Sequence, residues 1–281
     1  MAYCRKLATS HYENFLVTSL FTPKQLRPHF HSVYAFCRIA DDLADETGDP
    51  DRSLSLLDWW EDQLRRAYEG RPEHPAMIAL EATNNAFGIP MSPYLDLLHA
   101  FRQDQVTTRY ATYHDLLDYC AHSANPVGRL TLHLFSHTDS HRRALSDAIC
   151  TGLQLANFWQ DLARDAAIGR VYLPENDMAE YGVRREDLLA GRHTPELEAL
   201  LTLQCSRAAE LFDHGSALVD SLNGKARLCV AMFVAGGREI LQMIADQRYD
   251  VLTRRPAIPR TRQLRLLAST WLRSLAGRPS T

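Results

Sequence analysis

An all-helical fold is predicted for this chain by three features of its sequence. Apolar residues recur at spacings of three and four, alternating strand-like runs bounded by turns are scarce, and Gly or Pro interrupts most of the periodic segments. Taken in order, the periodicity places helices over residues 26–46, 53–69, 75–87, 92–103, 113–124, 141–167, 195–219 and 223–247. Pro90 with Pro93, Gly169 with Pro174, Gly191 with Pro195, and Pro256 with Pro259 punctuate the chain, and none of them lies in a long flexible linker. The expectation is therefore one domain over residues 1–281. Its basic tail, beginning around residues 254–255, is expected to be mobile.

Composition sets bounds on function. Apolar residues make up 46% of the chain and charged residues 23%, which suits a packed globular protein. A formal net charge of −3, from 31 basic and 34 acidic residues, supplies no global field for nucleic acid. The six cysteines have no paired short spacing, which fits neither a zinc site nor a disulfide framework and points to a reducing cytoplasm. The first residues, MAYCRKLATSHYENF, lack the apolar core of a secretory signal. The longest apolar run, 228–235, is shorter than a bilayer crossing. A cytoplasmic protein follows, soluble or peripheral to the membrane.

Within 26–46 the apolar row Phe30, Val33, Tyr34 and Cys37 continues at helical spacing onto Asp41 and Asp45. The row predicts an inward carboxylate pair. Such a pair is costly unless a cation, hydrogen-bond donors or water meets it. The alternative is a solvated acidic helix end comprising Asp42, Asp45, Glu46, Asp49 and Asp51, although an acidic C-terminus opposes the helix dipole.

The segment 141–167 repeats the pattern. A row begun by Ile149 and Leu153 continues as Asn157, Asp161 and Asp165, spanning about 12 Å of one face. Leu155, Phe158, Trp159 and Leu162 make the rest of that circumference apolar. Either the three polar groups form an exposed stripe or they serve a ligand. Oxygen-only donors of this hardness suit Mg²⁺, which takes one or two carboxylates, waters and the oxygens of a substrate diphosphate. Arg38, Arg164 and Arg170 are candidates to balance the anionic charge, or are simply surface arginines.

With both clusters in view, the chain resembles the squalene/phytoene synthase family of the all-helical isoprenoid synthase fold. The DxxxD motif is matched by Asp41 to Asp45 in VYAFCRIADDLAD, and the second motif by Asn157, Asp161 and Asp165 in NFWQDLARD. ENFLVTSLFTPKQLRP, SANPVGRL, GRVYLP and YDVLTRRP are most similar to bacterial hydroxysqualene synthases of hopanoid biosynthesis. The resemblance implies a helical bundle with a central cavity that converts presqualene diphosphate and water to hydroxysqualene and diphosphate, as a carbon–oxygen lyase. It implies two or three Mg²⁺ ions held by the five motif residues, no NADPH, functional coupling to a presqualene diphosphate synthase, and transient peripheral membrane contact. Arg38, Lys6, Arg170, Tyr172, Tyr34 and Tyr249 would contact substrate or close the site, with Arg170 and Tyr172 in a lid-like loop.

One departure is Gln160, which stands where many squalene and phytoene synthases carry Arg. It is included among the substrate-binding candidates, and its neutrality favours a substrate with one diphosphate. Phe15, Tyr34, Phe36, Phe158 and Phe233 are candidates to line a prenyl tunnel and face cationic intermediates, or are plain core. The Gly236-Gly237 pair marks either close helix approach or room for a prenyl chain. The histidines, His11 among them, accompany no recognisable Ser or Cys nucleophile signature. Two other readings stay open: a synthase that condenses two prenyl diphosphates, and a non-catalytic helical assembly or lipid-carrying factor.

Overall fold

The computed structural model describes residues 1–10 and 22–275. Phe15 and His11 lie outside the described residues. Among the described residues every extended regular element is an α-helix, and one isolated parallel bridge joins Arg109 and Val171. The chain forms two compact units. The first comprises Met1–Thr107 with Ala121–Arg143, the second Thr108–Cys120 with Ala144–Thr281.

The first unit is built on α2, Arg27–Asp45, which begins with Pro28 in its first turn, where a missing N–H costs nothing. Around it pack α1 (Ala2–Ser10), α3 (Pro50–Tyr68), α4 (Pro75–Phe87), α5 (Ser92–Gln103) and α7 (Asn125–Leu134); α6 is Tyr113–Ser123. The core centres on Phe36, whose ring lies 5.7 Å from that of Trp60 and 4.9 Å from that of Tyr94. Trp60 Nε1 donates to the Phe36 carbonyl at 3.3 Å. Asp49 caps α3 by accepting from the Asp51 amide at 3.1 Å. α7 was not read from the sequence, because Pro126 and Gly128 look like breakers. Instead Pro126 sits in the first turn of the helix, and Gly128 is buried.

The second unit contains α8 (Ser140–Ala167), α9 (Glu175–Tyr181), α10 (Arg185–Leu189), α11 (Pro195–Gly215), α12 (Ala217–Ser221), α13 (Gly224–Asp246) and α14 (Arg260–Leu275). Its centre is the fully buried ring of Phe212 on α11. A Cβ added at Gly152 on α8 would lie 3.2 Å from that ring, and one at Gly237 on α13 would clash with it. Gly237 is thus a contact between helices, whereas a Cβ at Gly236 would meet nothing within 4 Å.

Within the basic tail, Arg260–Leu275 form α14, which packs on α13 through Arg262, which reaches Glu239 at 3.0 Å and Asp246 at 3.3 Å. In addition, α13 as a whole is long and apolar enough to cross a bilayer, with a window of mean hydropathy 1.5. The run 228–235 alone understated it. α13 packs on α11, α12 and α14.

Candidate active site

Along α2 the row seen in the sequence passes from core to surface. Phe30 and Val33 are buried, Tyr34, Cys37 and Asp41 are half-buried, and Asp45, the last helical residue, is exposed. Asp41 is thus partly covered, whereas Asp45 is open to solvent. Burial pushes the Asp41 carboxyl above the usual carboxylate range, and the charges of Asp45, Asp42 and Glu46 push the same way. Arg38 opposes them: it donates to Asp41 at 3.0 Å and pairs with Asp42. Arg38 is thereby a counter-charge on its own helix, and Asp42 a partner that the sequence reading passed over. Burial raises the Tyr34 phenol as well. Lys6 is exposed on α1.

On α8, Leu155, Phe158, Trp159 and Leu162 are buried as their periodicity requires, while Asn157 is exposed and Asp161 and Asp165 are half-buried. The stripe emerges from an otherwise covered helix. Asp165 is pushed up to about 6, first by burial and then by the charge of Asp161, with Arg170 and Arg164 opposing. Asp161 carries a partner from far along the chain: Arg255 grips its carboxylate with Nε on one oxygen and a terminal nitrogen on the other, the latter at 3.0 Å. Arg164 stands 3.7 Å from Asp161 and is exposed. No local pattern announced Arg255, which lies 94 residues from its partner.

Other candidates have different surroundings. Gln160 is buried and its amide donates to the Pro256 carbonyl at 2.7 Å. That bond turns its amide towards the chain that follows α13. Tyr172 is buried and stacks on Phe158 with ring centres 3.8 Å apart, within a cluster that includes Tyr110 and Tyr119. Its loop is pinned to residues 108–111 by Val171, Glu175 and Asn176 amides at 2.9–3.0 Å. GRVYLP is thereby joined to residues 108–111 through Val171 and the two residues that follow the motif. Phe36 and Phe158 are core, while Tyr34 and Phe233 are half-buried. Tyr249 follows α13 in left-handed backbone, φ 58°.

The residues fit a divalent cation. Among the described residues no three His, Cys, Asp or Glu side chains converge as a ready-made metal site. Mg²⁺ does not require one, since it commonly binds through one or two carboxylates plus waters and substrate phosphate. Asp161 already holds a cationic guanidinium, and Asp165, raised first by burial and then by the charge of Asp161, adds a second carboxylate one turn along the same row.

Comparison with known proteins identifies the lineage. The squalene/phytoene synthase family profile matches residues 8–262. The chain belongs to the squalene/phytoene synthase family. This family member is 29% identical to the 15-cis-phytoene synthase of Synechococcus elongatus, over 96% of this chain and 92% of that one. It is 32% identical to the chloroplastic phytoene synthase 3 of Zea mays, over 97% of this chain and 64% of the relative. Its fold matches the crystal structure of the squalene synthase HpnC from Alicyclobacillus acidocaldarius with TM-score 0.85 and 45% identity, covering 88% of this chain and 94% of that one. A dehydrosqualene synthase solved with a ligand aligns with TM-score 0.87 and 27% identity, covering 97% and 96%. The all-helical isoprenoid synthase fold is thereby established, and with it a family of synthases that take prenyl diphosphates.

Proposed function

We propose that this family member is a Mg²⁺-dependent hydroxysqualene synthase, acting on presqualene diphosphate and water in hopanoid biosynthesis. The observation that carries the choice is the 45% identity to the squalene synthase HpnC, well above the 27% to 32% shared with the dehydrosqualene and phytoene synthases. It is supported by the oxygen-only row on α8 and by the acidic end of α2.

In this reading Asp41 and Asp45 form one ligand set, and Asn157, Asp161 and Asp165 the other. Bound Mg²⁺ would supply Lewis-acid neutralisation of the leaving diphosphate. The residues of the chain do the rest. Arg38, Arg170 and Lys6 offer positive charge to phosphate oxygens, and Tyr34 and Phe233 offer π faces to a carbocation. The carbon–oxygen bond to diphosphate breaks with its electron pair leaving on oxygen. The cyclopropylcarbinyl cation rearranges, a water oxygen bonds to carbon, and the water proton passes to solvent. Electrons balance without a reductant, so no NADPH enters.

A lipid substrate and product call for contact with a membrane. α14 offers a surface for it: Leu264, Trp271 and Leu272 are exposed beside Arg260 and Arg265, and the helix contains no acidic residue. An apolar stripe with arginines and without acids suits the headgroup region of an anionic leaflet.

The test is incubation of the purified protein with Mg²⁺ and presqualene diphosphate, without NADPH, followed by mass spectrometry. Hydroxysqualene is the expected product, absent from an Asp165→Asn variant. The phytoene synthase relatives favour a second reading, condensation of two prenyl diphosphates; consumption of farnesyl or geranylgeranyl diphosphate in place of presqualene diphosphate would select it. Failure to turn over any of the three would favour a non-catalytic helical factor.

A further inference from the structure

The chain leaving α13 is held more tightly than a connection requires. Arg248 and Tyr249 both adopt left-handed backbone, φ 52° and 58°, a conformation disfavoured for residues with a side chain and found where surroundings impose it. Their amides close back on Ala245 at 2.8 Å and Ile244 at 2.9 Å. Beyond the turn, Asp250 accepts from the Thr253 amide at 3.1 Å and from its hydroxyl at 2.6 Å, and Gln247 donates to the Arg254 carbonyl at 2.9 Å. The segment then reaches α8, where Gln160 takes the Pro256 carbonyl and Asp161 takes the Arg255 fork. Asp161 is 14% exposed at its side chain and Arg255 is 37% exposed. All of these groups belong to the second unit.

A guanidinium engaging both oxygens of Asp161 takes one lone pair of each and sets its positive charge against the carboxylate, so it competes with a metal there. Gln160 holds the Pro256 carbonyl independently of that ion pair, so when Arg255 leaves Asp161 the segment keeps one of its two anchors on α8 and loosens without detaching. We propose that Arg255 is a positioning residue that holds Asp161 as a surrogate cation in the unloaded chain and is displaced when a divalent ion arrives. This rests on the functional reading above, which makes Asp161 a metal ligand. The surrogate keeps a half-buried carboxylate neutralised between turnovers, and its departure couples ion loading to the conformation of residues 250–256.

Two measurements on the intact protein test this, using Mn²⁺ as a spectroscopic substitute for Mg²⁺. Free ion is counted by electron paramagnetic resonance, and hydrogen exchange is followed over residues 250–256. Arg255→Ala is expected to bind Mn²⁺ about five-fold more tightly than the wild type, since a competing ion pair is removed. Arg255→Lys, which keeps the charge but loses the fork, should fall between. In the unsubstituted protein, exchange around Arg255 should quicken at saturating Mn²⁺. Unchanged affinity in Arg255→Ala, or unchanged exchange at saturation, overturns the proposal. Asp161→Asn separates the causes: if it abolishes Mn²⁺ binding while Arg255→Ala changes nothing, the metal assignment stands and only the surrogate role fails. If Asp161→Asn binds as the wild type does, both fall.

Discussion

At the scale of single residues, the environment of Asp165 gives the clearest quantitative expectation. Its carboxyl is raised to about 6 by burial and by Asp161, so the folded chain binds that proton more tightly than the unfolded chain does. The stability it contributes is complete below the ordinary carboxylate range and disappears as pH rises through about 6. Metal binding needs the ionised form, and should therefore weaken as pH falls through the same value. Mn²⁺ affinity measured between pH 5 and 7 checks this; a flat profile would exclude Asp165 as a ligand. Asp161→Asn should bring the Asp165 titration down towards its ordinary range, observable by carboxyl NMR. The same variant should reduce turnover by roughly 100-fold or more, with its helical circular dichroism unchanged.

The helices bring other consequences. Phe212 is wedged between Gly152 of α8 and Gly237 of α13, and a side chain at Gly237 has no room. Gly237→Leu should cost about 1–3 kcal/mol through overpacking and lower the melting temperature. Gly236→Ala has open space and should be neutral or stabilising by up to about 1 kcal/mol. Equal effects at the two positions would contradict the packing described here. On α14, replacing Leu264 and Trp271 by Ser should weaken co-sedimentation with anionic vesicles while leaving turnover of detergent-dispersed substrate intact. Undiminished vesicle binding would remove α14 as the membrane-facing surface.

Across the whole molecule, what was legible in the sequence was what has a local period. The rows Phe30 to Asp45 and Ile149 to Asp165 announced both helices and both acidic ends, because burial repeats every three to four residues. Local pattern failed where chemistry was ambiguous or distant. Pro126 and Gly128 resemble breakers, yet one starts α7 and the other is buried within it. The arginine-rich tail gave no sign of its register on α13, since Arg262 finds Glu239 and Asp246 only after folding. Gln160 looked like a substrate-facing departure until Pro256 appeared beside it. Asp161 and Arg255, 94 residues apart, could be joined by no spacing rule.

Water capture of a carbocation released from a single prenyl diphosphate is the step that sets the proposed reaction apart. Its most direct test is turnover of presqualene diphosphate with Mg²⁺ in water enriched in heavy oxygen, without NADPH, with products resolved by mass spectrometry. Hydroxysqualene carrying the heavy isotope in its hydroxyl group is the expected product. Unlabelled hydroxysqualene, or a hydrocarbon formed only when two prenyl diphosphates are supplied, would contradict it.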